Sequence, residues 1–334
     1  MKEPLTVKFV DFWPTFNHND NKFVDALKTN REVTVLPEDS PDTPDLLFYS
    51  RCGQGKHYKY NCPKIYFTGE NDFPDFNECD YALSFYHSDC GGRNLRYPLF
   101  MLYETEQASN APFLDDNSAL NRGFCSVVLS NTTNCDPRRL SIIEEINSYK
   151  TIDSGGRYKN NVGGPVDDKL QFIAKYKFNL ALENSLVDGY VTEKILEPFA
   201  AATVPIYWGS ESAKHDFNPE SFININDYDT TDSLLRRIKE IDNNPSEYLR
   251  ILRTPSHTKE TVEQLDHQLQ TFLTNIANNP RRHTVPYGEM QTRYHRNSII
   301  VPLSYKRLYM TTSKILVNPT HSLQTLLKKA HLKK

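Results

Sequence analysis

Residues 178–199 change their apolar period halfway along. Phe178-Asn-Leu-Ala-Leu182 is an apolar run too short for a helix, and it ends in the polar turn residues Glu183, Asn184 and Ser185. It reads as a buried strand. From Thr192 the spacing turns helical: Ile195, Leu196 and Phe199 share one face, and Thr192 is placed to cap the first turn. The connecting loop carries Asn184, Asp188 and Tyr190, while Glu193 and Lys194 stand in the first helical turn. Free backbone N–H groups and the positive end of the helix dipole make such a turn an anion site, to which Lys194 adds a full charge. Val204-Pro-Ile-Tyr-Trp208 follows as a second strand, which completes a βαβ crossover. The ligand expected at the carboxyl end of the first strand is anionic and nucleotide-like.

The flanking sequence repeats this alternation. Val7–Phe12, Val33–Leu36, Leu46–Tyr49 and Lys64–Thr68 read as strands, with a helix over Lys22–Lys28. Asp80–Phe85 and Leu95–Leu102 are two more short elements, and the polar stretch 104–121 reads as a linker. A second series starts with a strand at Gly123–Leu129 and a helix from Asp136 or Pro137 to about Tyr149. A Gly/Asn-rich loop at 155–164 and a helix over 167–176 follow, and then the βαβ unit, a strand over Ser221–Ile225 and helices near 230–241, 246–253 and 258–277. Strands and helices alternating in two blocks imply an α/β protein with two doubly wound domains, the ligand lying in the cleft between them. We place the boundaries at 1–115, 116–280 and 281–334.

Charge sets the last segment apart. Residues 281–334 hold eleven Lys/Arg and one acid, Glu289, whereas the preceding 280 residues hold 28 Lys/Arg against 41 Asp/Glu. A basic tail with two amphipathic segments, 304–316 and 322–332, suits an anionic membrane surface. No nucleic-acid recognition motif accompanies it. The opening Met1-Lys-Glu-Pro does not read as a signal peptide, so none is expected, and there is no run of roughly 18 apolar residues. The six cysteines show no C-x-x-C spacing, so free thiols in a reducing cytoplasm are expected and zinc is not.

Outside the central stretch, several polar residues fall at strand ends. Glu70 follows the 64–68 strand, and Ser130, Asn131, Arg138 and Arg139 follow the 123–129 strand. With Tyr190, Glu193 and Lys194 they would set cations and a helix end around a pyrophosphate, with Glu70 facing them from the other domain. Such a set suits transfer of a sugar from a nucleotide diphosphate: cations stabilise the departing diphosphate, and a carboxylate takes the proton of the attacking hydroxyl.

Phe67-Thr-Gly-Glu-Asn71, Phe178-x-Leu-x-x-Glu-Asn-Ser185, Tyr190-Val-Thr-Glu-Lys194 and Val204-Pro-Ile-x-x-Gly209 occur in this order over roughly residues 60–250. In these motifs the chain resembles the α-1,3/4-fucosyltransferases of glycosyltransferase family ten, bacterial members especially. The resemblance implies a GT-B fold, two Rossmann-like domains facing across a cleft, with the acceptor bound mainly by the first and GDP-fucose by the second. It implies an inverting reaction from GDP-β-L-fucose to the 3-hydroxyl of N-acetylglucosamine or glucose in a β-galactoside such as N-acetyllactosamine, that is, Lewis-type glycan synthesis. Glu70 matches the proposed general base. Ser130, Asn131, Arg139, Val162, Asn184, Tyr190, Glu193 and Lys194 match donor-binding positions; Arg138 is the fallback for Arg139.

The resemblance also has departures. Asn179 and Leu99 stand where animal members carry tyrosines, and an amino-terminal membrane anchor like that of those enzymes is not expected. A cytoplasmic enzyme held at the anionic inner membrane by its tail, acting on lipopolysaccharide glycans, is the resulting expectation. No cofactor is expected to be required beyond the donor substrate, with stimulation by Mn2+ or Mg2+ left open. Asp227-Tyr-Asp229 imitates a metal-binding D-x-D but sits where acids cap helices. Alternatives are α-1,4 linkage, another GDP-sugar transferase, a hydrolase using Glu70 and Glu193, and a catalytically silent carbohydrate- or nucleotide-binding protein.

Overall fold

Parallel strands are covered by helices on both faces, so they are buried along their whole length. The computed structural model describes residues 4–283, apart from positions 54, 104, 106, 107, 109–111, 134 and 258. Six strands form the first sheet: β1 (Leu5–Val10), β2 (Val33–Val35), β3 (Leu46–Tyr49), β4 (Lys64–Phe67), β5 (Tyr81–Ser84) and β6 (Asn94–Arg96). Every residue of β3, β4 and β5 is buried. The second sheet holds β7 (Gly123–Val127), β8 (Ile152–Ser154), β9 (Tyr176–Leu182), β10 (Val204–Trp208) and β11 (Ile223–Asn224).

All pairings in both sheets are parallel. The orders are β2-β1-β3-β4-β5-β6 and β11-β10-β9-β7-β8. In each, the winding reverses beside the first strand, which opens a crevice at the carboxyl ends of β1 and β3 and of β7 and β9. This is the expected α/β architecture of two Rossmann-like halves. Register aligns Ser126 with Asn179. The Asn179 amide donates to the Ser126 carbonyl and hydroxyl at 3.1 and 3.0 Å, so this buried polar side chain ties β9 to β7.

Among the described residues the helices are α1 (Lys22–Lys28), α2 (Asp116–Leu120), α3 (Arg138–Asn147), α4 (Lys169–Ile173), α5 (Glu193–Ala200), α6 (Ala213–Asp216), α7 (Thr231–Asn243), α8 (Pro245–Arg253) and α9 (Lys259–Asn278). One apolar cluster joins Phe9, Phe48 and Phe67 of the first sheet with Ile195, Leu196 and Phe199 of α5. Phe217 bridges them, 4.9 Å from the Phe100 ring and 5.6 Å from Phe199. A second cluster packs α3, α7 and α8 onto the far face of the second sheet.

Helix α9 returns to the first sheet. Leu269, Leu273 and Ile276 of α9 enter the first cluster. Lys22 pairs with Asp266 at 2.8 Å, Arg31 donates to the Ala277 carbonyl at 2.9 Å, and Tyr97 donates to Asp266 at 2.9 Å. A boundary drawn at 115/116 does not anticipate this return.

Local differences from the sequence reading have local causes. The helix expected over 167–176 shrinks to α4 because Tyr176 is drawn into β9, opposite Gly123. The strand expected over 221–225 is cut to β11 by 3-10 turns at Pro219–Ser221 and Ile225–Asp227, each started by an Asn side chain. Pro98 ends the element at 95–102, leaving β6 and a 3-10 turn at Leu99–Leu102. The three-residue β8 gave no periodic signal.

Both sheets lie in one compact unit, while Asp75–Glu78 groups outside it as a separate turn, closed by the Glu78 N–H donating to the Asp75 carbonyl at 2.8 Å. Among the described residues no helix is long and apolar enough to cross a membrane. The amphipathic segments expected at 304–316 and 322–332 lie outside the described residues.

Candidate functional site

The crevice at the carboxyl ends of β7 and β9 faces the amino terminus of α5. Thr192 caps that helix in extended conformation, its hydroxyl accepting from the Lys194 N–H at 3.5 Å. Below the cap lies Glu183, the residue directly after β9 and fully buried. Its carboxylate receives the Thr192 N–H at 2.8 Å, the Thr192 hydroxyl at 2.9 Å and the Lys194 ammonium at 3.2 Å. Lys194 therefore cannot swing freely: Nζ is also 3.0 Å from the Thr192 hydroxyl and 3.8 Å from Glu193. Burial opposes its charge, but the attraction of Glu183 and Glu193 prevails and raises the Lys194 pKa.

Arg139 enters from the first turn of α3 and is buried. Its Nη1 donates to the Asn184 side chain at 2.9 Å and reaches the Asn131 carbonyl at 3.5 Å, while Nε is buried without a partner. Burial lowers its pKa without discharging it. Arg138 points elsewhere, bonded to Ser141 at 3.2 Å and paired with Glu145. Helical geometry separates the two neighbours, because consecutive residues face about 100° apart.

Ser130 and Asn131 are exposed on the turn after β7. The Ser130 hydroxyl accepts the Arg157 N–H at 3.2 Å, and the Asn131 side chain accepts from the Thr133 N–H at 3.1 Å. The Gly/Asn-rich loop can approach this turn because position 156 has no side chain: a Cβ there would lie 2.1 Å from the Leu129 carbonyl oxygen. Val162, 37% exposed, sits in the same loop, its N–H 3.3 Å from the Asn160 side chain. Tyr190 is buried, and its hydroxyl pKa is raised first by burial and then by Glu183.

Glu70 is exposed on the loop after β4, and Leu99 packs beneath Gly69 at its base. Asp72 pins this loop, accepting from the Tyr66 hydroxyl at 2.7 Å and pairing with Arg51 at 2.6 Å. The Glu70 charge acts on the hydroxyls of both Tyr190 and Tyr103. The structure therefore brings Glu70 within electrostatic reach of the α5 site.

Two residues beside these groups went unassigned in the sequence reading. Glu183 was visible within the Glu-Asn-Ser motif, and an acid directly after a buried strand needs partners. Tyr103 gave no signal: its pKa is raised to about 12 by burial and by Glu193 and Glu197. It borders a 390 Å³ pocket with Leu102, Leu170, Glu193, Leu196 and Glu197. Beside it a gap of about 30 Å³ is lined by Arg139, Lys169, Lys194 and Glu197. A 380 Å³ groove by Pro112, Leu252 and Val204 lies at the amino end of β10, away from these polar groups.

Asp227 pairs with Lys214, so the D-x-D acid is engaged in an ion pair. Among the described residues no group of three or more His, Cys, Asp or Glu could hold a metal ion.

Comparison with known proteins gives matches along most of this frame. The sequence model of the alpha-(1,3)-fucosyltransferase FucT N-terminal domain matches residues 7–103, and that of the glycosyltransferase family 10 (fucosyltransferase) C-terminal part matches residues 121–285. An alpha-(1,3)-fucosyltransferase FucT from Helicobacter pylori is 32% identical over 286 residues, 75% of this chain and 59% of that protein. The chain thus spans little more than half the length of this relative. A crystal structure of an alpha1,3-fucosyltransferase with GDP superposes with a TM-score of 0.71 at 29% identity, covering 84% of this chain and 92% of the other. One with GDP-fucose gives 0.72 at 28% identity, covering 85% and 94%. With both halves matched in order and the whole frame superposing, the chain belongs to the fucosyltransferases of glycosyltransferase family 10.

Proposed function

We propose that the chain is an inverting α-1,3-fucosyltransferase that moves L-fucose from GDP-β-L-fucose to the 3-hydroxyl of N-acetylglucosamine or glucose in a β-galactoside acceptor, as in Lewis-type glycans. The observation that carries this reading is that the inward guanidinium of Arg139, held by Asn184, and Lys194 in the first turn of α5 line the same gap. The printed ligands of the similar structures, GDP and GDP-fucose, support the donor.

In this reading Arg139, Lys194 and the first-turn N–H groups hold the diphosphate, and Asn184 and Tyr190 line it. Ser130, Asn131 and Val162 border the nucleoside, and Glu193 takes sugar hydroxyls. Glu70 accepts the proton of the acceptor hydroxyl as its oxygen attacks the anomeric carbon from the face opposite GDP. The bond to the phosphate oxygen breaks, and GDP leaves with the electron pair, so configuration inverts. Glu183 keeps Lys194 charged and aimed. The preorganised cations stabilise the developing charge, and the reaction needs no added metal. The loops of the first sheet bind the acceptor, those of the second the donor. The basic segment 281–334 attaches the enzyme to anionic lipid at the inner membrane.

The test is GDP release from GDP-fucose in EDTA, with and without N-acetyllactosamine, with linkage read by NMR. Acceptor-dependent release with a new α-fucosyl signal at the 3-position is expected. GDP-fucose binding without transfer, with or without manganese, would replace this reading by that of a silent binding protein. Transfer only with manganese would return Asp227 and Asp229 to consideration. Deleting 284–334 is expected to release the protein from anionic vesicles and leave transfer to a soluble acceptor intact; retention on the vesicles would refute the lipid contact.

A further inference from the structure

Phe73 and Tyr86 are large apolar rings left 50% and 38% exposed. They meet edge to face, 5.1 Å between centroids at 81°, and Phe73 meets Phe85 in the same manner at 5.1 Å and 67°. Phe85 in turn lies 5.6 Å from the ring of Tyr190. An aromatic row thus runs from the α5 site to two open rings. Both rings stand on anchored backbone. Phe73 follows Glu70 by three residues in the loop pinned by Asp72. Tyr86 follows Phe85, whose carbonyl abuts Gly189, and its own N–H donates to Ser84 at 3.1 Å. Polar groups rim the row: His87 contacts Ser212 at 2.9 Å, and Ser212 donates to the largely exposed Asp188 at 2.8 Å.

Rigid rings held open to water at a site edge offer flat hydrocarbon faces at low entropic cost. A β-galactoside has the complementary surface: its axial 4-hydroxyl leaves the hydrogens on C3, C4 and C5 as one apolar patch on the opposite face of the ring. We propose that Phe73 and Tyr86 form the acceptor subsite for the galactose ring, which carries the neighbouring sugar hydroxyl toward Glu70. This deepens the proposed function and rests on it for the identity of the acceptor. His87 and Asp188 then meet the hydroxyl edge of the same sugar.

Two measurements test the subsite. With GDP present, saturation-transfer NMR of N-acetyllactosamine on the wild-type protein should give its strongest signals at galactose H3, H4 and H5. These should fade in Phe73→Ala and Tyr86→Ala and persist in Phe73→Trp. In transfer kinetics, each Ala variant should raise the acceptor KM at least tenfold, toward the value for N-acetylglucosamine alone, with kcat and the KM for GDP-fucose unchanged. A lowered kcat at constant KM would mean that the rings only support the Glu70 loop, and would overturn the proposal. So would saturation centred on N-acetylglucosamine or unaffected by the substitutions. The NMR arm stands without turnover, so absence of transfer in the wild type would count against the proposed reaction and not against the subsite. Thermal melts of the variants verify that they fold.

Discussion

At the residue scale, the carboxylates near α5 are separated by their partners. Glu183 is fully buried against Thr192 and Lys194, and Glu197 is paired with Lys169. Glu193 lies 3.8 Å from Lys194. Glu70 stands exposed with no cation paired to it among the described residues, which leaves its carboxylate open for the proposed role as base. Glu70→Gln keeps the shape and removes the basicity. Transfer should fall by about 10²–10⁴-fold, with GDP-fucose affinity by calorimetry unchanged; wild-type turnover would refute the role. Arg139→Ala or Lys194→Ala should each raise the barrier by ~2–4 kcal/mol, read as kcat/KM. An unchanged value for either would remove it from the diphosphate site. The type of cation at 139 was legible from its place after a strand. Its inward aim was not, because Arg138 has the same chemistry and only the rotation of α3 distinguishes them. Nor was the part of Glu183, whose importance comes from full burial.

At the element scale, the loop before α5 depends on one glycine. Gly189 has φ +82, and a Cβ there would stand 2.1 Å from the Phe85 carbonyl oxygen. Its N–H donates to Ser210 at 2.8 Å and its carbonyl receives Arg96 at 3.3 Å. Gly189→Ala combines a strained backbone with a clash. It should cost ~1–3 kcal/mol in unfolding free energy and weaken GDP-fucose binding through Tyr190. A melt within a degree of wild type would show that the approach can relax. The α7–α8 pair offers a pH test. Glu247 accepts from Arg250 at 2.8 Å and also pairs with Arg237, and these bonds pull its carboxyl down to about 2. A depressed carboxyl stabilises the fold above its ordinary range near 4.5, and that contribution is lost as pH falls through about 2. Glu247→Gln should therefore cost ~1 kcal/mol near pH 7 for this partly exposed pair. The difference from wild type should shrink in denaturant titrations taken down to pH 2. A constant difference across that range would exclude the linkage.

At the scale of the whole molecule, the two sheets are held together by features far apart in sequence. Arg96 of β6 makes paired bonds to Asp216 of α6 at 2.8 and 2.7 Å, with both side chains largely buried. Helix α9 then crosses back to α1. Leu273 is fully buried in the cluster shared by α9 and the first sheet. Leu273→Ala should cost ~2–5 kcal/mol of global stability, read as a lower denaturant midpoint. A loss under ~0.5 kcal/mol would mean that α9 packs there without supporting the fold.

What the sequence by itself determined is what period and local chemistry encode. The buried run of β9, the Thr192 cap, the α5 face and the alternation of strands and helices all follow from residues close in the chain, and so did the α/β architecture with two parallel sheets. Tertiary structure decided what depends on distant partners. It set which arginine turns inward, what surrounds Glu183, which rings stay open beside Glu70, and where α9 docks. A helix such as α9 carries an apolar stripe that would suit either sheet. Only the packing against α1, more than two hundred residues earlier in the chain, selects one.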